Sequence, residues 1–273
     1  MGEVWLRTVR PGHRLALFAL GLGLGGCAGS GAAGRPAAPG APAAEWQRVA
    51  VRTDTLRFVD PARHRPIPVV TYAPGAPGGP RAPRLKVALL SHGYGGQNTA
   101  YTFLARNLVA HGYFVASLQH ELPGDAPLPT TGNPQQTRRP NWEQGVQSLV
   151  FVLGELKRTH PALDARHVLL VGHSNGGDMV MLFAREHPAL VERVISLDNR
   201  RMPFPWTRRP RIFSLRSSDQ VADSGVVPSP AEQARFGTTV VWLPATQHND
   251  IWDGATESQK REMNALISRF LEQ

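Results

Sequence analysis

Short runs of consecutive apolar residues alternate along this chain with segments whose apolar side chains recur every three or four positions. Continuous apolar runs are typical of strands that are buried on both faces of a parallel sheet. The segments between them have the spacing of helices with one apolar face. This alternation predicts an α/β fold, in which helices cover both faces of a mostly parallel, doubly wound sheet.

The pattern predicts eight strands, over residues 46–59, 66–72, 86–91, 113–118, 167–172, 191–197, 211–215 and 238–243. It predicts helices over residues 98–111, 142–160, 175–186 and 256–272. We expect the first two strands to pair antiparallel at an edge of the sheet. Residues 121–141 are rich in Pro, Thr and Gly and predict a long surface loop. Only about a dozen residues connect strands 191–197 and 211–215, so no separate lid domain is expected there.

The N-terminal segment differs from the rest of the chain. The charged residues among positions 1–14 are mostly basic, and residues 15–24 form an apolar stretch. That stretch is too short to cross a hydrocarbon core of ~30 Å, but it suits a signal peptide, which we predict over residues 1–26. The small residues before Cys27 resemble the lipobox of bacterial lipoproteins. This resemblance implies export, lipidation of Cys27 and anchoring to the bacterial cell envelope; an ordinary signal peptide cut nearby is the alternative.

Composition narrows the possible partners. Residues 27–44 are almost wholly Ala, Gly and Pro and predict a tether, which leaves residues 45–273 for one folded domain. Cys27 is the sole cysteine, so an internal disulfide and a cysteine-based metal site are excluded. The formal net charge is +9, but the basic residues are scattered and do not alternate with aromatic residues. We therefore expect a solvated basic surface and no nucleic-acid partner.

One motif carries a specific chemistry. Residues 172–177 read Gly-His-Ser-Asn-Gly-Gly, between a predicted strand and a predicted helix, and fit G-x-S-x-G. Small residues on both sides permit a sharp turn that lifts the hydroxyl of Ser174 clear of the sheet. The start of a helix also favours developing negative charge. A glycine-rich structural turn is the alternative, but the flanking strand and helix favour Ser174 as a nucleophile.

A serine hydroxyl needs a base, and the base needs a carboxylate to orient it. His248 lies between the last strand and the terminal helix, at the carboxyl ends of the strands, where Ser174 also emerges. Two carboxylates compete for the third position. Asp198 ends one strand directly, and Asp219 follows the next strand after a short turn. The order Ser…Asp…His with the acid after the penultimate strand favours Asp219, with Asp198 as the alternative acid.

The tetrahedral intermediate also needs hydrogen-bond donors for its oxyanion. The N–H of Asn175, directly after the nucleophile, predicts one donor. The second is expected at Tyr94, in the glycine-rich loop after strand 86–91, where the backbone can approach a substrate closely. We expect His92 to brace this loop through hydrogen bonds. Neither H-E-x-x-H, nor a carboxylate cluster, nor G-x-x-x-x-G-K occurs, so no metal and no nucleotide cofactor are expected.

With SHGYGG, GHSNGG, SSDQ and QHND in that order, the chain resembles the α/β-hydrolase superfamily across residues 46–273. Residues 63–74, ahead of SHGYGG, look like the secreted esterases related to dienelactone hydrolase and platelet-activating-factor acetylhydrolase. The resemblance implies an acyl-enzyme mechanism on esters, with the roles carried by Ser174, His248, Tyr94 and Asn175. The identity of the triad acid stays open, because the acid of the acetylhydrolase branch corresponds to Asp198 and that of most of the superfamily corresponds to Asp219.

We therefore expect a serine hydrolase that cleaves carboxylic esters. An absent lid favours an open cleft, and hence short acyl groups or a polymeric ester. Tryptophans are candidates to line the cleft, although burial is their commoner fate: Trp142, Trp206 and Trp252. The alternatives are a serine peptidase or other acyl hydrolase on the same fold, and a catalytically silent lipoprotein that binds a ligand. A silent protein is expected to have a broken triad, whereas every position is filled here.

Overall fold

The computed structural model describes residues 48–76 and 84–273. The predicted signal peptide, Cys27 and the predicted tether lie outside the described residues. No helix within the described ranges is both long enough and apolar enough to cross a bilayer.

The described residues form an eight-stranded sheet in the order β1-β2-β4-β3-β5-β6-β7-β8. Its strands are β1 (Val51–Asp60), β2 (Arg65–Pro74), β3 (Lys86–Ser91), β4 (Tyr113–Leu118), β5 (Asp164–His173), β6 (Val191–Leu197), β7 (Arg211–Arg216) and β8 (Thr239–Trp242). The pairings β1–β2 and β2–β4 are antiparallel, and the other neighbours are parallel. The predicted α/β fold is confirmed, and so is the antiparallel pair at the edge.

The helices are α1 (Thr102–Ala110), α2 (Pro134–Thr137), α3 (Arg139–Thr159), α4 (Ser174–Glu186), α5 (Pro230–Phe236) and α6 (Glu257–Leu271). Two of them, α2 and α5, were not predicted. Neither buries a residue, so neither has the apolar stripe that marks a helix in the sequence. A capping box at Ser229 and Glu232 begins α5 and is the local signal for it. The predicted loop 121–141 is wrong at its end, because α2 and α3 begin within it.

Two apolar layers hold the sheet between its helices. Along β5 successive side chains point to opposite faces, as the pleat of a strand requires. Val168 and Leu170 belong to the cluster beneath α3 and α4, whereas Leu169 and Val171 belong to the cluster beneath α1 and α6. A central strand buried on both faces explains why its sequence is a continuous apolar run.

The turn from β5 into α4 is packed against the end of β3 with no room for a side chain. A Cβ on Gly176 would lie 2.4 Å from the carbonyl oxygen of His92 and 2.5 Å from that of Ser91. A Cβ on Gly172 would lie 2.3 Å from the carbonyl oxygen of Gly176. These contacts are with main-chain atoms, which cannot move aside easily. The first turn of α4 and the loop after β3 are therefore held in direct contact.

We predict that Gly176→Ala destabilises the protein by about 3 kcal/mol or more, because the new methyl group overlaps main-chain oxygens. Gly154→Ala is the matched control, since Gly154 lies within α3 and a Cβ there meets nothing within 4 Å. That variant is expected to gain about 0.5–1 kcal/mol from helix propensity. Urea denaturation measures both changes. Equal stability of the two variants would contradict the close contact.

Candidate active site

Ser174 is the first residue of α4 and has a backbone φ of +52°. Side chains other than glycine rarely occupy this left-handed region, so the turn is strained. The strain is maintained by the close packing of Gly172 and Gly176 on either side. The sequence predicted this sharp turn, and the structure has it at the end of β5.

Ser174, His248 and Asp198 form one chain of hydrogen bonds. Ser174 Oγ lies 2.9 Å from His248 Nε2, and His248 Nδ1 lies 2.6 Å from Asp198 Oδ2. A carboxylate only accepts, so the proton on the imidazole belongs to Nδ1. Nε2 is then free to accept the proton of the serine hydroxyl. This is the tautomer that a general base for Ser174 requires.

The carboxylate of Asp198 is completely buried and yet well supplied with donors. Oδ1 accepts from the N–H of Ser217 and forms an ion pair with Arg216 Nη2 at 3.0 Å. Oδ2 accepts from Ser217 Oγ at 2.6 Å as well as from His248. Burial by itself raises the pKa of Asp198, but the bonds from His248 and Ser217 and the charge of Arg216 outweigh it and lower the pKa. The group therefore stays ionised inside the protein.

The preference for Asp219 over Asp198 is corrected by this geometry. Asp219 Oδ1 accepts a hydrogen bond from the main-chain N–H of His248 at 2.7 Å, so it contacts the backbone and not the imidazole. Asp198 reaches the ring because its backbone turns at φ +56° directly after β6. Both carboxylates lie at the same edge of the sheet, as the sequence implied. The direction of each side chain was not available from strand order.

The predicted oxyanion donors lie next to the nucleophile, in the wall of the same cavity. The side chain of Asn175 is fixed from α3: its Oδ1 accepts from Trp142 Nε1, and its Nδ2 donates to Asn141 Oδ1, both at 2.8 Å. The amide side chain is therefore occupied. The Tyr94 hydroxyl accepts from the N–H of Leu128 at 2.9 Å, so its ring extends across the cleft and contacts the loop after β4.

A chain of hydrogen bonds that the sequence did not predict joins the loop after β3 to the turn that carries Ser174. The N–H of Gly93 donates to the Tyr101 hydroxyl at 3.2 Å, and that hydroxyl lies 2.8 Å from His173 Nδ1. Because the tyrosine oxygen accepts from Gly93, its own proton points to the imidazole. Burial lowers the pKa of His173 to about 3 and raises that of Tyr101 to about 12, so both stay neutral. His173, the residue before Ser174, is thus linked through Tyr101 to the predicted oxyanion loop.

His92 braces the same loop, as expected. Its Nε2 accepts from the N–H of His120 at 3.0 Å, so the ring proton lies on Nδ1, which is 2.8 Å from the carbonyl oxygen of Gly93. Burial lowers the pKa of His92, in keeping with a neutral ring. The glycine loop is thereby fixed at its carbonyl by His92 and at its N–H by Tyr101.

Two cavities meet at Ser174, with Tyr94 between them. One holds about 490 Å³ and includes Gly93, Tyr101, His248 and Trp252 in its wall. The other is smaller, about 150 Å³, and is lined in part by Asn175 and by arginines. Of the tryptophan candidates only Trp252 borders a cavity at Ser174; Trp142 is buried, and Trp206 lies beside Phe236.

Comparison with known proteins agrees with this architecture. Residues 82–197 match the family model of the serine aminopeptidases, S33. A ferulic acid esterase from Streptomyces cinnamoneus superposes with a TM-score of 0.55 at 23% identity, over 76% of this chain and 77% of that one. The chain has the α/β-hydrolase fold. The turn that carries Ser174 lies where this fold has a nucleophile elbow, and the predicted α/β-hydrolase fold is confirmed.

Other esterases have the same α/β-hydrolase architecture. One of two fungal esterases from Rhizomucor miehei has a TM-score of 0.59 at 13% identity, over 82% of this chain and 84% of that one. A bacterial heroin esterase has a TM-score of 0.57 at 14% identity, over 83% and 86% of the two chains. No protein of curated function matches the sequence. Among residues 48–76 and 84–273, no cluster of three or more His, Cys, Asp or Glu side chains suits a metal ion.

A half-buried carboxyl group beside the glycine loop makes stability depend on pH. Burial, with a smaller contribution from Asp125, raises the pKa of Glu121 to about 7, and its Oε2 lies 3.5 Å from His92 Nδ1. The folded protein keeps this proton up to about pH 7, whereas the unfolded chain releases it near the ordinary value of 4.5. Stability is therefore lost as the pH rises between these values.

We predict that Glu121→Gln removes this loss. The free energy of unfolding of the variant minus that of the native protein is expected to be about 1–2 kcal/mol larger at pH 8 than at pH 5. Urea denaturation at the two pH values measures it. The control is Glu262→Gln, an exposed glutamate of α6, which is expected to show no such difference. A pH-independent effect of Glu121→Gln would contradict a neutral half-buried carboxyl.

Proposed function

We propose that this protein is a serine hydrolase that cleaves carboxylic esters through an acyl-enzyme on Ser174. The observation that carries the proposal is the continuous hydrogen-bond chain from Ser174 Oγ through the His248 imidazole to buried Asp198. The hydrogen bond to Asp198 leaves Nε2 of His248 facing Ser174, and the carboxylate of Asp198 is ionised, as acyl transfer needs. The α/β-hydrolase fold and the esterases that share it support the reaction class.

The chemistry follows from this arrangement. Ser174 Oγ attacks the ester carbonyl while His248 Nε2 takes the hydroxyl proton, and Asp198 stabilises the imidazolium that forms. The main-chain N–H groups of Tyr94 and Asn175 stabilise the oxyanion, and each donor of this kind is typically worth ~3 kcal/mol. The carbonyl–alkoxide bond breaks, and the alcohol leaves with the proton from His248. Water, deprotonated by His248, then hydrolyses the acyl-enzyme and regenerates Ser174.

We also propose that the chain belongs to the secreted esterases related to dienelactone hydrolase and platelet-activating-factor acetylhydrolase. The support is the acid, because the acetylhydrolase branch has it directly after the strand that follows the nucleophile helix, as Asp198 follows β6. No helix lies in the connection 198–210, and the cleft at Ser174 is open to short acyl groups or a polymer chain.

A peptidase is the second candidate, and the description of the matching family model favours it. Because the same triad can cleave amides, an esterase and a peptidase are distinguished only by the substrate that each prefers. Comparing a nitrophenyl ester with an aminoacyl nitroanilide makes this distinction, and we expect kcat/KM to be far higher on the ester. Faster turnover of the nitroanilide would replace the esterase proposal with the peptidase.

Three variants test the triad with a short-chain nitrophenyl ester. Ser174→Ala is expected to abolish turnover and also labelling by a fluorophosphonate, which requires an activated serine. Asp198→Asn is expected to lower kcat by about 10³–10⁴-fold, because the imidazole loses its orienting carboxylate. Asp219→Asn is the matched control and is expected to lose about tenfold or less, since its carboxylate holds only the backbone of His248. If Asp219→Asn is the more damaging, the assigned acid is wrong.

For residues outside the described ranges, we propose export and lipid anchoring through Cys27. The support is the sequence alone: a basic start, a ten-residue apolar stretch and small residues before the sole cysteine. Cys27→Ser is expected to abolish incorporation of radioactive palmitate and to release the protein from the membrane fraction. Membrane retention of the unlabelled variant would rule out the lipid as the anchor.

A further inference from the structure

The smaller cavity beside Ser174 is lined by three arginines and by one acidic residue, Asp178. Arg138, at the start of α3, and Arg200 and Arg201, in the connection between β6 and β7, all line it. The cavity also includes Asn175, the residue after the nucleophile. A group bound among these guanidinium groups is therefore adjacent to the reacting carbonyl.

The carboxylates of this region do not neutralise all three arginines. Asp223 pairs with Arg201, at 2.5 Å from its Nη1. Asp178 is buried and accepts from the main-chain N–H groups of Arg201 and Met202, at 2.9 and 2.8 Å. It therefore stabilises the backbone of the connection, and burial raises its pKa to about 6.

Arg138 and Arg200 have no carboxylate partner among the described residues. Arg138 Nε donates to the carbonyl oxygen of Pro129 at 3.0 Å, and the buried Nε of Arg200 has no hydrogen-bond partner. Burial lowers the pKa of Arg138, and the charges of Arg201 and Arg200 lower it further, while the charges of Asp178 and Asp223 offset part of this shift. Guanidinium groups that repel one another in a partly buried site are stabilised by a bound anion, and a carboxylate matches their planar geometry.

The reaction determines which part of the ester enters this cavity. The leaving alcohol takes its proton from His248 Nε2, so it departs on the side where His248 lies. His248 lines the larger cavity and is absent from the wall of the smaller one. The acyl group therefore occupies the arginine-lined cavity, whose 150 Å³ equals the volume of about five water molecules and suits a short chain.

We infer that the preferred substrates are half-esters of short dicarboxylic acids, whose free carboxylate binds Arg200 and Arg138 while Ser174 attacks the ester carbonyl. This inference rests on the proposed esterase function. It adds the charge and the length of the acyl group, which the triad alone does not determine.

The test compares two esters of nearly equal shape, mono(4-nitrophenyl) glutarate and 4-nitrophenyl 5-methylhexanoate. The acyl chain of the glutarate ends in a carboxylate, whereas that of the methylhexanoate ends in an isopropyl group. Spontaneous hydrolysis is subtracted with Ser174→Ala. We expect the native protein to have at least about tenfold higher kcat/KM on the glutarate, mostly through KM, because a charge-assisted pair is gained. This ratio tests the inference without any variant.

Substitutions then locate the subsite. Arg200→Gln is expected to lower the glutarate-to-methylhexanoate ratio by about tenfold, and Arg200→Lys is expected to retain part of it because the charge remains. Arg208→Gln changes an exposed arginine of the same connection that does not line the cavity, and is expected to leave the ratio unchanged.

The outcomes separate the two proposals. Turnover of the methylhexanoate at a rate equal to or above that of the glutarate would overturn the inference and leave the esterase function in place. An equal loss on both esters in Arg200→Gln would also overturn it, because a merely structural role predicts that result. Failure to hydrolyse either ester would remove the proposed function, and the inference with it.

Discussion

The ionised carboxylate of Asp198 in the protein interior is the constraint around which the active site is organised. A buried charge is tolerated only when donors and an opposite charge surround it. Here the donors come from two separate parts of the chain: Arg216 and Ser217 at the end of β7, and His248 before α6. The need to satisfy one carboxylate therefore brings these segments together and orients the imidazole toward Ser174.

Ser174 is placed by a different constraint, which is steric. Gly172 and Gly176 allow α4 to begin directly against the carbonyl groups at the end of β3. Since the glycine loop continues from the same strand end, the nucleophile and the predicted oxyanion donors share one rigid support. Gly93, Tyr101 and His173 strengthen that support with hydrogen bonds between neutral groups, which remain in place over a wide range of pH.

The sequence predicted the parts of the site that depend on chain order and periodicity. Continuous apolar runs identified the central strands, and the rule that parallel strands end at one edge brought Ser174 and His248 together correctly. The acid could not be chosen in this way, because Asp198 and Asp219 both follow strands that end at the same edge of the sheet. A φ of +56° at Asp198 is the deciding feature, and no pattern of residues reports it. The partnership of Tyr101 with His173 was equally hidden, since 72 positions separate the two residues.

Two carboxylates contact His248 at two different points. Asp198 binds the ring and fixes its tautomer, whereas Asp219 binds the peptide N–H and anchors the segment that carries the ring. The orientation of the imidazole ring and the placement of its main chain therefore depend on different carboxylates. A substitution at exposed Asp219 therefore changes how the main chain of His248 is held at the surface. It leaves the buried hydrogen bonds and the ion pair of Asp198 intact.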